Sequence, residues 1–202
     1  PSMLFPTRTL TMDVTAEVNR FQNVDATADN VTGTEVYGGY SSLGHTTTHN
    51  KLKVTALPTA GHLTNVYGGY TKGAGDSKVN HVTVSLANRT QQITGRVVGG
   101  TAATEKAAIA DNTVTIEGGS VNQGAIGGLG TTVHRGDLKN NTVTIRQDGA
   151  VALAYGAFAE DGGAMVGGDS AADGNHAVIE GGRAEFVIGG ATNGTGKVSY
   201  NT

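Results

Sequence analysis

"ADNTVTIEGG" at 110–119 and "KNNTVTIRQDG" at 139–149 carry one phrase twice, with Asn112 and Asn141 as its first letters. An asparagine opens it, Val or Ile alternates with Thr behind it, and a turn closes it. The same marker stands at "NKLKVT" from 50, "NHVTVS" from 80 and "NHAVIE" from 175, and "NT" at 201–202 begins it again. Alternation of period two is the signature of a half-buried strand, and β-branched residues favour strand over helix. One inward column therefore reads Leu52, Val82, Val114, Val143, Ala177, and a second reads Val54, Val84, Ile116, Ile145, Ile179. The outward residue between them is Lys53, Thr83, Thr115, Thr144 or Val178.

A second marker keeps step with the first. "VYGGY" occurs at 36–40 and 66–70, followed by "VVGG" at 97–100, "AIGG" at 125–128, "AYGA" at 154–157 and "VIGG" at 187–190. The first glycines of these pairs are 30, 31, 28, 29 and 33 residues apart. Between each pair and the next marker asparagine lie 10, 10, 11, 12, 17 and 10 residues. The long gap marks an insertion at 158–174 with its own extra "VGG". One repeat is thus about 30 residues: a first strand, a glycine turn, a second strand with inward Leu63, Ile93, Val121, Val151 and Ala184, and a polar loop. Turns such as Gly118-Gly119 and Gly181-Gly182 suit positive φ, which glycine adopts without a Cβ penalty.

A unit this small cannot bury its own apolar face, so like residues must stack in like columns. The sequence predicts an all-β parallel solenoid, a β-helix of about six coils. With strands about 4.8 Å apart it would form a rod about 30 Å long. Residues 31–202 supply the repeats and 1–30 a first or capping coil, in which "RTLTMDVTAEV" at 8–18 alternates weakly. The unfinished phrase at 201–202 leaves the array open-ended, as in a fragment of a longer chain. Composition agrees with a thin core of small aliphatics: 32 glycines, 3 prolines, no tryptophan and no cysteine in 202 residues. A net charge of −3 without a basic cluster argues against nucleic acid as partner. No apolar run reaches the length of a membrane helix.

Two sets of residues stand out in the columns. Asn50, Asn80, Asn112, Asn141, Asn175 and Asn201 either form a side-chain ladder, as stacked amides do in cross-β structures, or supply the turn before each strand. Tyr37 aligns with Tyr67 and Tyr40 with Tyr70. They are either a stabilising stack or a contact surface for sugar or protein, since an exposed aromatic offers area with a polar tip.

These phrases, "NTVTIEGGSV…IGG" and "VYGGY…NKLKVT", resemble the repeats in passenger regions of Gram-negative autotransporter adhesins. The resemblance covers 30–202 and implies a right-handed, secreted β-helix exported by a membrane barrel in the same longer chain. It implies an extracellular, cell-surface adhesive role with a host or neighbouring-cell protein or glycan receptor as partner. Two rivals follow from the same fold. Open solenoid ends expose strand edges and could join head to tail into a filament. A carbohydrate-active β-helix enzyme would need carboxylates clustered on one face, whereas the acids here are scattered, so no catalytic residue and no cofactor are expected. "GGDSAADGN" at 167–175 offers Asp169, Asp173 and Asn175 as weak calcium candidates, without the closing glutamate of a calcium loop. His45 and His49 of "HTTTH" fall in a polar loop and lack the glutamate of a zinc helix.

Overall fold

The computed structural model describes residues 17–31, 33–59 and 61–202. The alternating stretch at 8–18 lies outside the described residues as far as Ala16. The described residues form a parallel β-solenoid, and among them the only helical turn is the 3-10 segment Ala171–Asp173.

The strand after a marker asparagine forms the first side of its coil: Lys51–Val54, His81–Ser85, then the starts of Thr113–Val121 and Thr142–Asp161, and His176–Glu180; Asn23–Ala26, which follows Gln22, forms that side of the first coil. All of these pair parallel and in register, so Leu52, Val82, Val114, Val143 and Ala177 meet as one column. Val54, Val84, Ile116, Ile145 and Ile179 form the next. Burying each such Val or Ile is worth about 1.5–3 kcal/mol. The column begins earlier than residue 31, because Asn23–Ala26 already pairs with Lys51–Val54. In the sixth coil Ile179 is 40% exposed and Phe186 59%, since these strands have a neighbour on one face only.

The second side carries the paired glycines: Glu35–Ser41, Asn65–Thr71, Arg96–Ala102, Gly124–Val133, the far part of Thr142–Asp161, and Arg183–Thr192. Leu63, Ile93, Val121 and Val151 are buried at the corner leading into it, with Ala184 partly buried beyond them. Gly119 and Gly181 turn there with φ of +91° and +101°.

The predicted polar loop holds a third side. Two-residue strands at Thr47–Thr48, Ser77–Lys78, Ile109–Ala110, Leu138–Lys139, Val166–Gly167 and Val198–Ser199 pair into their own six-stranded parallel sheet. These strands are too short to show alternation, which is why periodicity alone did not reveal them. Their inward position changes chemistry along the rod. Thr47 and Ser77 join a buried hydroxyl chain, with Thr47 Oγ1 2.8 Å from Thr71 Oγ1 and 3.1 Å from Ser77 Oγ. Ile109, Leu138 and Val166 continue it as a second apolar core with Ala102, Ala107, Ala157, Ala159 and Ala164.

The insertion is shorter than 158–174 and differently placed. Phe158–Asp161 end a second-side strand, and the "extra" Val166-Gly167 is the third-side strand of that coil. From the third-side strand to the ladder asparagine is three residues in the other coils (109 to 112, for example) but nine here, 166 to 175, so the six extra residues are 168–173.

Five of the six coils close on a residue in the left-handed region just before the asparagine: His49, Val79, Asp111, Asn140 and Tyr200, with φ between +51° and +60°. The coil with the extra residues differs, since Gly174 before Asn175 is extended at φ −66°. The asparagine is therefore not the turn residue. Val79 is the strained member, because a β-branched side chain is disfavoured at positive φ. Phe21 holds the same geometry one turn earlier and stacks on His49 at 5.1 Å.

Candidate functional site

The asparagines form a ladder along the axis. Nδ2 of Asn50, Asn80, Asn112, Asn141 and Asn175 donates to Oδ1 of the next asparagine at 2.8, 3.0, 3.0, 2.9 and 2.8 Å. Backbone groups add two further kinds of bond. Oδ1 of Asn112 also accepts from the backbone N–H of Asn80 at 3.0 Å, and Nδ2 of Asn112 donates to the carbonyl of Ser77 at 3.0 Å. Asn141 and Asn175 repeat the pattern. The asparagines from Asn50 to Asn175 are fully buried, so these bonds satisfy groups that water cannot reach.

The ladder explains the second glycine of each pair, while a Cβ on the first would meet the carbonyl of the next coil, as Gly38 would meet that of Gly68 at 2.6 Å. A Cβ on Gly39 would lie 2.2 Å from Nδ2 of Asn50, and one on Gly100 2.4 Å from Cγ of Asn112. Neither glycine has positive φ; close approach is what each of them permits. Ala157 holds the equivalent place in the fifth coil with the bonds of Asn175 intact, so a methyl group is tolerated there.

On the other side of the same glycines the exterior is concave. In a straight strand residues i and i+3 point to opposite faces about 10 Å apart. Here Tyr37 and Tyr40 both face outward and their rings meet edge-on at 5.2 Å and 76°. The chain therefore bends at each glycine pair, and stacking the coils turns the bend into a groove running along the rod. In the first two coils it holds four tyrosines. Tyr37 stacks on Tyr67 at 5.2 Å and 10°, Tyr40 on Tyr70 at 5.5 Å and 11°, and Tyr67 meets Tyr70 edge-on at 5.1 Å. The Tyr37 hydroxyl donates to the Glu35 carboxylate. Burial first, and then the Glu35 charge, pushes the Tyr67 hydroxyl up to about 12; burial, then the hydrogen bond to Glu35 and its charge, raises Tyr37. Tyr37 and Tyr67 are therefore neutral at any physiological pH.

Register carries the groove onward. Tyr67 is followed by Val98, Ile126, Tyr155 and Ile188, and Tyr70 by Thr101, Leu129, Phe158 and Ala191. Val98, Ile126 and Leu129 are buried although they face outward, packed between Tyr67 on one side and Tyr155 and Phe158 on the other. Tyr155 and Phe158 meet at 5.1 Å. Arg96 and Glu160, two coils apart and near opposite ends of the bent strand, close over the groove with an ion pair of 2.8 Å.

The tyrosine pairing was visible in the sequence; the continuous groove was not recognised. Its signal was present, since a large apolar residue precedes every glycine pair: Tyr37, Tyr67, Val98, Ile126, Tyr155 and Ile188. Nothing in one dimension links Arg96 to Glu160.

The calcium candidates are not assembled as a site. Oδ1 of Asn175 accepts from both the backbone N–H and Nδ2 of Asn141, which uses its lone pairs, and Asp169 pairs with Lys197 at 3.5 Å. Among the described residues no group of three or more His, Cys, Asp and Glu is placed to hold a metal ion. His45 lies 3.5 Å from Glu17, while His49 is at the coil corner. His81 is half-buried: its Nδ1 is 2.6 Å from Thr113 Oγ1, and burial lowers its pKa. Arg146 joins Glu117 at 2.6 Å within the column that also holds Glu180.

Comparisons with protein-family models, with curated protein sequences and with solved structures return no match.

Proposed function

We propose that this chain is part of a secreted, surface-exposed β-solenoid of the autotransporter-passenger kind, a rigid rod that makes adhesive contacts. One observation carries the reading. The rod has an exterior groove lined with half-buried aromatics, whereas its first side shows solvent a plain column of Thr83, Thr115 and Thr144. Half-exposed tyrosines supply contact area at small entropic cost, which suits them to binding surfaces. The partner class is a protein or glycan receptor on a host or neighbouring cell. A carbohydrate-active enzyme is the weaker reading, because Glu117 and Glu160 are each engaged by an arginine, at 2.6 and 2.8 Å, rather than held as an acid and base pair.

The test is retention of protein-coated beads under flow on surfaces bearing a mucin-type glycoprotein or fibronectin. Beads carrying the parent chain are retained on at least one surface, and Tyr67→Ala removes most of that retention. Loss of this ring costs about 1–2 kcal/mol of packing and leaves the β-sheet circular dichroism spectrum in place. Beads that bind neither surface would count against adhesion. Head-to-tail self-association is the second reading, favoured by the apolar strand edge at Ile179, Phe186 and Val187. A further coil of a longer chain would cover that edge equally well. The 202-residue polypeptide alone should therefore associate at micromolar concentration in sedimentation equilibrium; a monomer removes the filament reading.

A further inference from the structure

We propose that the groove over the third to fifth coils binds a neutral saccharide, seated on Tyr155 and Phe158 beneath the Arg96–Glu160 bridge. This names a ligand class for part of the adhesive groove and rests on that reading for its biological setting. The geometry stands separately.

The cavity is bordered by a residue without a side chain. Gly124 stands in register with Arg96 of the coil before it, and Leu153 of the coil after it lies against the same position. Beside Gly124 opens a hollow of about 370 Å³, a size that suits a small ligand. A Cβ built on Gly124 meets only the Leu153 carbonyl at 3.4 Å and Leu153 Cβ at 3.5 Å, so the fold does not require glycine there. The space is left open without a steric reason.

The walls select the occupant. Leu153, Tyr155 and Phe158 give an apolar floor with two half-exposed rings, the surface on which the C–H face of a pyranose rests. Around it stand a guanidinium, a carboxylate and the exposed amides of Gln123 and Asn193. Together they offer donors and acceptors in planar pairs, which vicinal hydroxyls can bridge. Arg96 and Glu160 neutralise each other at 2.8 Å, so the site presents no net charge to draw a sialylated or sulfated glycan. A peptide adding itself as a strand is disfavoured, because Tyr155 and Phe158 lie on a strand already paired on both edges, to Gly124–Val133 and to Arg183–Thr192.

The test is backbone amide shift mapping of the 202-residue chain by NMR with maltose, cellobiose, lactose and a neutral milk-type tetrasaccharide, against sialyllactose. Neutral sugars are expected to move amides within 123–126, 153–158 and at Asn193, with affinity about millimolar for so shallow a site. Gly124→Leu fills the hollow and weakens binding about tenfold or more without lowering the melting temperature; Tyr155→Ala weakens binding as much through loss of the ring, and lowers stability because that ring also packs on Ile126 and Leu129. The proposal is overturned by shifts confined to other coils, by binding of sialyllactose alone, by no shift with any neutral sugar, or by an unaltered affinity in Gly124→Leu. The bead assay reads the tyrosine quartet with whole surfaces and the shift map reads coils three to five with soluble sugars, so either reading can fail while the other stands.

Discussion

Asn112→Ala is expected to lower the free energy of unfolding by about 3–4 kcal/mol. The substitution removes a side chain that serves four partners. The backbone N–H of Asn80 loses its acceptor at 3.0 Å and stays buried. Nδ2 of Asn80 loses the same oxygen but keeps the Thr47 carbonyl and Ser77 Oγ, at 3.1 and 3.2 Å. The Ser77 carbonyl and Oδ1 of Asn141 each lose a donor at 3.0 Å. A buried polar group without a partner costs about 1–3 kcal/mol, and the cavity against Gly100 adds to that. Asn112→Asp should be worse despite its shape, since a carboxylate cannot donate to Asn141 or Ser77 and brings an unpaired charge inside. Asn201→Ala is the internal control: it is only partly buried and has one ladder neighbour, so about 1 kcal/mol is expected. Urea unfolding reads all three as midpoint shifts at constant slope. If Asn112→Ala unfolded with the parent, the ladder would be geometry without energetic weight.

The first side of the coil was legible because its pattern is long enough to count. Four or five residues alternate, and five copies agree on which of them point inward. The ladder was legible as a column but not as a ladder, since a turn asparagine gives the same spacing. What separates the two is the residue before it, and His49, Val79, Asp111, Asn140 and Tyr200 share no chemistry that announces a left-handed backbone. The turn is imposed by the coil, against the preference of Val79 and Tyr200. The third side was hidden for the opposite reason: two residues per coil carry no period, and Thr47, Ser77, Ile109, Leu138 and Val166 switch from polar to apolar midway. The groove needed the bend at the glycine pairs. Glycine in a strand suggests a turn to a sequence reader, whereas here it marks where an asparagine presses from inside and the outer residues fold toward each other.

Ile116→Asp tests the strand phase on which all of this rests, and its effect should exceed about 5 kcal/mol. Ile116 has no exposed surface, and its register neighbours are Val84 and Ile145. The cluster around it is aliphatic throughout, so a carboxylate there finds neither hydrogen-bond donor nor cation. Burial disfavours the charged form and raises the pKa of such an acid above its ordinary value of about 3.9. The sign of the pH dependence follows. Below about pH 4 both folded and unfolded chains carry the neutral acid, and only the polar and cavity costs remain. As pH rises the unfolded chain ionises first, so stability falls by about 1.4 kcal/mol per pH unit until the folded-state pKa is reached. The variant should melt higher at pH 4 than at pH 7, relative to the parent at each pH. Thr115→Asp, one residue away, places the same charge on the outward column between Thr83 and Thr144 and should cost no more than about 1 kcal/mol. Since a strand has only two faces, exchanging the behaviour of these two variants would require the whole first side to be turned over, taking the inward columns, the ladder contacts and the outer groove with it.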